Sequence, residues 1–202
     1  MAPIREHERC PETGASCRAQ QVGIDERISK HTLIARSGER QGGAHDASEH
    51  HPGRNGVARY LEGRLVGHQW YTTIGRDPLF PFGFGLGYAC ASIDAAAAPS
   101  AHEVVVTLSN AGTRDAVEVV EVYAHLVVRD DVPRDEPDQR LVGFAKVHVA
   151  AGTTVETRIA LDRHAYRTWD VLHARWVQRT DLHELRIGRS AAEIVYRIEV
   201  RP

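Results

Sequence analysis

From about Ala91 to the end of the chain, apolar and polar residues alternate in short runs that are separated by turn residues. One such run, from 102 to 110, carries apolar residues at every second position: Val104, Val106 and Leu108. This period of two predicts β-strands, because successive side chains of a strand point to opposite faces. Asn110 and Gly112, which follow, favour a turn.

The next run, from 117 to 128, carries the same alternation over a greater length. One predicted face consists of Val120, Val122, Ala124 and Leu126, and the other of Glu121, Tyr123 and His125. Since one face is apolar and the other polar, the pattern predicts a strand that is buried on one side only.

Five further runs complete a set of about seven strands. Residues 141–149 and 153–161 are joined by a short stretch that ends in Gly152, and this spacing predicts a hairpin. The last three runs are 174–177, 182–187 and 194–200, and residues 162–170 are predicted to form a loop or a single helical turn. Residues 91–202 are therefore predicted to fold as an all-β, immunoglobulin-like antiparallel sandwich.

The first 90 residues lack this alternation. Residues 1–50 are rich in Arg, His, Gly and Ala, so we expect little order there beyond a short helix near 25–36. Such a leader is typical of a truncated or frame-shifted reading. Residues 51–90 concentrate Gly, Pro and aromatic residues, which predicts an irregular connector.

Within this connector, residues 78–88 read PLFPFGFGLGY, with large residues alternating with Gly and Pro. An extended chain with this pattern has one bulky face and one bare face, and the bare face allows close backbone approach. We therefore predict that the segment packs domains together. The candidate domain-packing residues are Tyr60, Trp70, Phe80, Phe82, Phe84, Leu86 and Tyr88.

Composition and charge exclude several classes of partner. The 25 basic and 27 acidic residues give a formal charge of -2, so the chain lacks the basic surface that nucleic acids or anionic membranes require. No apolar stretch is long enough to span a bilayer and the first residues lack a signal-peptide pattern, so we expect a cytoplasmic chain. The glycines do not follow a phosphate-binding pattern and the His and Cys residues lack metal-ligand spacing, so no cofactor and no metal are predicted.

Several motifs occur together in a fixed order: YLEGRLVGHQWY at 60–71, PLFPFGFGLGY at 78–88, LVGFAKV at 141–147, then Trp169-Asp170, Trp176 and Gly188. This order resembles the C-terminal part of the family 3 glycoside hydrolases of the β-glucosidase type. In that family, a connector of this kind leads into a fibronectin type III-like domain. The resemblance covers residues 51–200 and implies the same sandwich fold.

The resemblance also implies what the chain does not carry. In that family the nucleophilic Asp lies on a barrel and the acid/base Glu on an α/β sandwich domain, and neither motif occurs in this sequence. A retaining glycosidase needs two carboxyl groups about 5 to 5.5 Å apart. Glu62, in the YLEG motif, is therefore only a weak catalytic candidate, because the sequence offers no partner carboxyl group for it. We expect a scaffold that is inactive alone, stabilises the barrel and α/β sandwich domains of a β-glucosidase, and shapes access of substrate to them.

Trp169 and Trp176 support an alternative interpretation. Exposed aromatic side chains in a sandwich can stack against sugar rings, so the chain could be a stand-alone carbohydrate-binding or protein-interaction module. Burial in the core is the competing prediction for both, since large aromatic residues commonly anchor a core.

Overall fold

The structure is a computed structural model, and it describes residues 55–57, 63–75, 77–78, 80–127 and 136–202. The predicted leader, its helix near 25–36, and Tyr60 and Glu62 of the connector lie outside these residues. The described part contains one short helix followed by nine strands. They are α1 (His68–Thr73), β1 (Ser92–Ser100), β2 (Glu103–Ser109), β3 (Ala116–Leu126), β4 (Arg140–Val149), β5 (Thr154–Ala160), β6 (Arg167–Asp170), β7 (Arg175–Gln178), β8 (His183–Gly188) and β9 (Ile194–Val200).

Seven of the strands form two antiparallel sheets that pack face to face. One sheet has the order β1-β2-β5 and the other the order β4-β3-β8-β9. Their inner faces supply one core of aliphatic side chains with Tyr166, including Val104, Val106, Leu108, Val120, Val122, Val149, Leu185 and Ile187, all of them fully buried. The prediction of a seven-stranded β-sandwich is confirmed.

The alternation in the sequence located most strands correctly, but it did not predict β1. Its sequence, SIDAAAAPS, is rich in alanine, which is a poor strand former, and no strand was predicted there. Pairing with β2, whose valines are buried, and the burial of Ile93 hold this segment in the sheet. Tertiary contacts therefore override the local propensity.

The predicted hairpin between 141–149 and 153–161 is wrong. Strand β4 pairs with β3, whereas β5 pairs with β2 in the other sheet, so the turn at Gly152 carries the chain across the sandwich. Asn110, at the end of β2, secures this crossing. Its backbone carbonyl accepts from Gly152 N–H at 2.8 Å and its side-chain amide donates to the carbonyl of Val149 at 3.0 Å.

Strand β3 was expected to be buried on one side, and this is also wrong. Glu121 and Tyr123, on the face opposite to the core, are 5% and 0% exposed. The strand lies in the middle of its sheet, between β4 and β8. The connector covers the outer face at Glu121, so the middle of β3 is buried on both faces, while Val117 near its start is exposed.

Strands β6 and β7 form a separate hairpin outside both sheets. Residues 167–170, predicted as loop, pair with 175–178 in antiparallel register. Strand β6, with the sequence RTWD, has Trp169 as its one apolar residue and therefore no period of two, which explains why it was missed.

Candidate functional site

The connector does not run straight along the sandwich as an extended chain. The backbone N–H of Phe84 donates to the carbonyl of Pro81 at 3.0 Å, and Gly83 between them has a φ of +81°. This geometry is a type II turn, whose third residue must adopt a positive φ and is therefore usually glycine. The turn interrupts the single bulky face that the alternation predicted.

Gly83 lies directly against the outer face of β3. A Cβ atom on this residue would lie 2.4 Å from the carboxylate oxygens of Glu121, which no real Cβ contact allows. The close approach expected of the connector glycines therefore occurs at this position. On its other side, the Glu121 carboxylate accepts a hydrogen bond of 2.5 Å from the Tyr123 hydroxyl. Burial, followed by this bond, raises the pKa of Tyr123 well above its usual value.

The carbonyl of Phe82 forms a second link to the sandwich. It accepts from the backbone N–H of Ala191 at 2.9 Å, just before β9. The carbonyl of Ala191 in turn accepts from the side-chain amide of Gln139 at 2.8 Å, and the amide oxygen of Gln139 accepts from Arg186 at 3.0 Å. Backbone and buried side chains thus fix the turn in place.

Asp138 joins α1 of the connector to the four-stranded sheet. Its backbone N–H donates to the Thr73 hydroxyl at 2.9 Å, and its carboxylate accepts from Arg186 at 2.7 Å. The His125 Nδ1 atom lies 2.7 Å from the Asp138 carbonyl and 3.4 Å from its carboxylate. Burial would raise the pKa of Asp138, but hydrogen bonds from His125 and Arg186 outweigh it and lower that pKa to about 2.

Arg64 adds an ion pair at the same end of the connector, with its guanidinium 2.6 Å from the Glu136 carboxylate. Leu65 beside it is 7% exposed. The stretch 63–66 is therefore anchored by one apolar and one charged contact.

The large side chains of the connector are mostly turned toward solvent. Phe80 is 54% exposed, Phe82 43%, Leu86 72% and Tyr88 93%. Ring contacts order part of this surface, since His68 stacks on Phe82 with centroids 4.5 Å apart and Phe80 packs on Phe84 at 5.1 Å. Burial lowers the pKa of His68, which favours a neutral ring in this stack. We call Phe80, Phe82, Leu86 and Tyr88 the docking face.

Two other candidate residues of the connector differ from this group. Phe84 and Trp70 are only partly exposed, and Trp70 meets Tyr71 edge-to-face at 5.0 Å. The role of these residues in domain packing stays a prediction, as does that of Tyr60.

The two buried acids of β3, Glu118 and Glu121, do not form a glycosidase pair. Glu118 and Glu121 are both buried on β3, at 3% and 5% exposure. Three positions apart on a strand, they point to opposite faces of the sheet, so they cannot flank one sugar ring. The described part of the chain contains no group of His, Cys, Asp and Glu suited to a metal and no helix that could cross a membrane.

Glu118 belongs to an ion cluster at the edge of the sandwich. The Arg189 Nε atom lies 3.4 Å from the Glu118 carboxylate, and the Arg189 guanidinium also donates to Glu193 at 2.8 Å and to the carbonyl of Ala91. The Glu118 carboxylate accepts from Ala91 N–H at 3.4 Å. This cluster fixes the point where the connector enters β1.

Sequence reasoning missed the polar residues that hold the connector: Glu121, Asp138, Gln139, Arg186 and Arg189. Glu118 and Glu121 interrupt a strand that is otherwise apolar, and this interruption was the available signal for buried acids. The others have no local pattern, because the bonds from Gln139 to Ala191, from Arg186 to Asp138 and from Arg189 to Ala91 join residues 48 or more positions apart.

Trp169 and Trp176 do not belong to the core, so the prediction of core burial is wrong for both. They are 46% and 45% exposed and face each other across the β6–β7 hairpin. The hairpin lies outside the two packed sheets, which is why neither indole is enclosed.

Comparison with known proteins shows which family the chain resembles. Residues 118–191 match the family described as Fibronectin type III-like domain. Over 153 residues the chain is 31% identical to an exo-α-(1→6)-L-arabinopyranosidase of Bifidobacterium longum, which covers 74% of this chain and 20% of the relative. The chain thus spans about a fifth of the length of the curated relatives it matches.

Solved structures show the same similarity. A β-glucosidase from Streptomyces venezuelae, in complex with D-glucose, matches with a TM-score of 0.70 at 30% identity, over 76% of this chain and 20% of the other. A GH3 β-glucosidase from Bifidobacterium adolescentis matches with a TM-score of 0.68 at 31% identity, over 75% and 23%. The resemblance seen in the sequence is confirmed: the chain belongs with the C-terminal part of the family 3 glycoside hydrolases of the β-glucosidase type, with a fibronectin type III-like β-sandwich.

Proposed function

We propose that the chain is a non-catalytic scaffold of a β-glucosidase-like glycoside hydrolase, and that its docking face packs against the catalytic domains. The observation that carries this proposal is that the connector has a fixed backbone but exposed apolar side chains. Its backbone is fixed on the sandwich through Gly83, Phe82 and Thr73, while the docking face is 43% to 93% exposed.

This contrast favours a docking role because exposed apolar groups on a fixed backbone need little ordering on association. Burial of such side chains contributes on the order of 1.5 to 3 kcal/mol each. Clustered apolar surface of this kind commonly marks a protein contact. The docking face therefore fits a partner that covers it permanently, such as a neighbouring domain.

The names of the similar proteins support a structural role. One relative is an arabinopyranosidase and others are β-glucosidases. A region shared by enzymes with different substrates is suited to holding catalytic domains, whereas the choice of sugar would be made elsewhere. The two buried acids of β3 also support a structural role, because they face opposite sides of the sheet and so cannot act on one sugar ring.

A chimeric enzyme tests the docking role. The region of the Bifidobacterium adolescentis β-glucosidase that aligns with this chain is replaced by residues 51–202, and thermal unfolding and hydrolysis of an aryl β-glucoside are measured. We expect Leu86→Ser with Tyr88→Ser to lower both the Tm of the catalytic domains and the rate. Removing two buried apolar side chains from an interface typically costs about 2 kcal/mol or more.

Val171→Ser with Leu172→Ser is the matched control. These residues are 80% and 91% exposed, as Leu86 and Tyr88 are, but they lie at the tip of the β6–β7 hairpin. The control chimera should behave like the unmodified one. Equal Tm and rate in all three chimeras would refute the docking role.

A further inference from the structure

The β6–β7 hairpin presents one face on which aromatic and polar side chains lie side by side. Trp169 and Trp176 are directly opposed, and Arg167 and Gln178 form the opposed pair two positions away. Both pairs lie on the same face, because positions two apart in a strand point to the same side. The Arg167 guanidinium donates to the Gln178 amide oxygen at 3.2 Å, which holds the polar pair in place beside the indoles.

The two indoles form a corner. Their centroids lie 5.5 Å apart with an interplanar angle of 74°, and each residue remains nearly half exposed. The His164 ring packs against Trp176 at 4.4 Å, which restricts rotation of that indole. Two rings at this angle provide two nearly perpendicular apolar faces, with hydrogen-bonding groups along one side.

We propose that this face binds a ring of a neutral oligosaccharide. A pyranose has apolar C–H faces and a rim of hydroxyl groups, so it can contact an indole and exchange hydrogen bonds with a guanidinium and an amide at once. Arg167 and Gln178 supply both donors and an acceptor for hydroxyl groups. Asp170 and Arg175, the charged pair of the hairpin, lie on the opposite face, so the binding face has no cluster of charge for an ionic ligand.

The combination of indole rings with hydrogen-bonding groups favours a sugar ring over a purely apolar partner. Arg167 and Gln178 bond to each other, but a purely apolar partner would bury the remaining guanidinium N–H groups without acceptors, at a cost for each. A sugar ring leaves neither the indoles nor the polar pair uncovered. The site is separate from the docking face and does not depend on the scaffold role.

Titration of the full chain with cellopentaose tests the site, with the three tryptophan indole N–H signals followed by ¹H–¹⁵N NMR. At millimolar sugar we expect the signals of Trp169 and Trp176 to shift and that of Trp70 to stay in place. Trp176→Ala should weaken binding by about tenfold or more, as expected for loss of an aromatic contact. Arg175→Ala, on the opposite face of the same strand, is the matched control and should bind as the unmodified chain does.

Gln178→Ala gives a second variant, since it removes an exposed amide without disturbing the indoles, and it should also weaken binding. The proposal is overturned if the Trp169 and Trp176 signals do not move with cellopentaose. It is equally overturned if sorbitol, which has hydroxyl groups but no ring, moves them to the same extent. Shifts that follow protein concentration without sugar would instead assign the face to contact with a second copy of the chain.

Discussion

At the scale of single residues, the contact between Gly83 and Glu121 decides how the connector lies on the sheet. A buried carboxylate normally requires polar partners, and the Tyr123 hydroxyl is one of them. The absence of a side chain at Gly83 lets the backbone approach this carboxylate directly. A single glycine thus sets the distance between connector and sandwich.

Gly83→Ala should therefore destabilise the protein by more than backbone strain alone. The positive φ costs about 1 kcal/mol for a residue with a Cβ, and displacement of the Glu121 carboxylate adds to this. Gly75→Ala is the control, because Gly75 has a φ of +66° with no atom within 4 Å of a Cβ. Chemical denaturation measures the free energy of unfolding of both variants. A loss for Gly83→Ala no larger than that for Gly75→Ala would contradict the close contact.

Asp138 is the second residue with a large individual effect, because its carboxylate lies between Arg186 and His125. These contacts lower the pKa of Asp138 from 3.8 to about 2, against the effect of burial. A carboxyl whose pKa is lower in the folded state stabilises the fold above its unfolded pKa. That contribution is lost as the pH falls from about 4 to about 2.

The stability difference between the unmodified protein and Asp138→Asn should accordingly depend on pH. We expect it to be largest near neutral pH and to shrink as the pH falls through 4 toward 2, measured by denaturant unfolding at each pH. Asp77→Asn, at an exposed position of the connector, should show no such trend. A difference that stays constant with pH would rule out the ion pair with Arg186.

At the scale of elements, Arg189 joins three strands at one point. It follows β8, contacts Glu118 of β3 and donates to the carbonyl of Ala91, which precedes β1. Because Ala91 and Glu118 are both buried, this point is shielded from solvent. The cluster ties the two sheets together where the connector enters.

Replacing Arg189 with Met should destabilise the sandwich by about 3 kcal/mol, because it removes the cation beside a buried carboxylate. Adding Glu118→Gln should recover part of this loss, since the neutral amide costs less to bury. Thermal and denaturant unfolding of the two single variants and the double variant measure the coupling. Strictly additive losses would show that the two side chains do not interact.

The strands with a strong period of two were predicted from the sequence. Strands β2, β3, β4 and β5 carry alternating aliphatic residues, and this pattern locates them to within one or two residues. Strand β1 was missed because its alanines are stabilised only by pairing with β2. The pairing of β4 and β5 was wrong because a short turn with glycine fits a crossing between sheets as well as a hairpin.

The candidate site was predicted in outline. The alternation of large residues with glycine indicated a packing segment, and a close approach does occur at Gly83. The turn at Pro81–Phe84 and the acids and arginines beneath it could not be predicted. They arise from contacts between distant parts of the chain, and a single sequence carries no local signal for such contacts.

At the scale of the whole molecule, the described residues form a stable base with two exposed surfaces. The docking face lies on the connector, and the tryptophan pair lies on the separate β6–β7 hairpin. A large buried core between the sheets provides the stiffness that both surfaces need. We therefore propose that the molecule holds and binds, and that other domains cleave the glycosidic bond.

Hydrolysis of an aryl β-glucoside by the purified full chain tests whether the chain is non-catalytic. Release of nitrophenol is followed at high protein concentration for the unmodified chain and for Glu62→Gln, which changes the one weak catalytic candidate. We expect rates equal to buffer for both. A rate above buffer that Glu62→Gln abolishes would contradict the non-catalytic role.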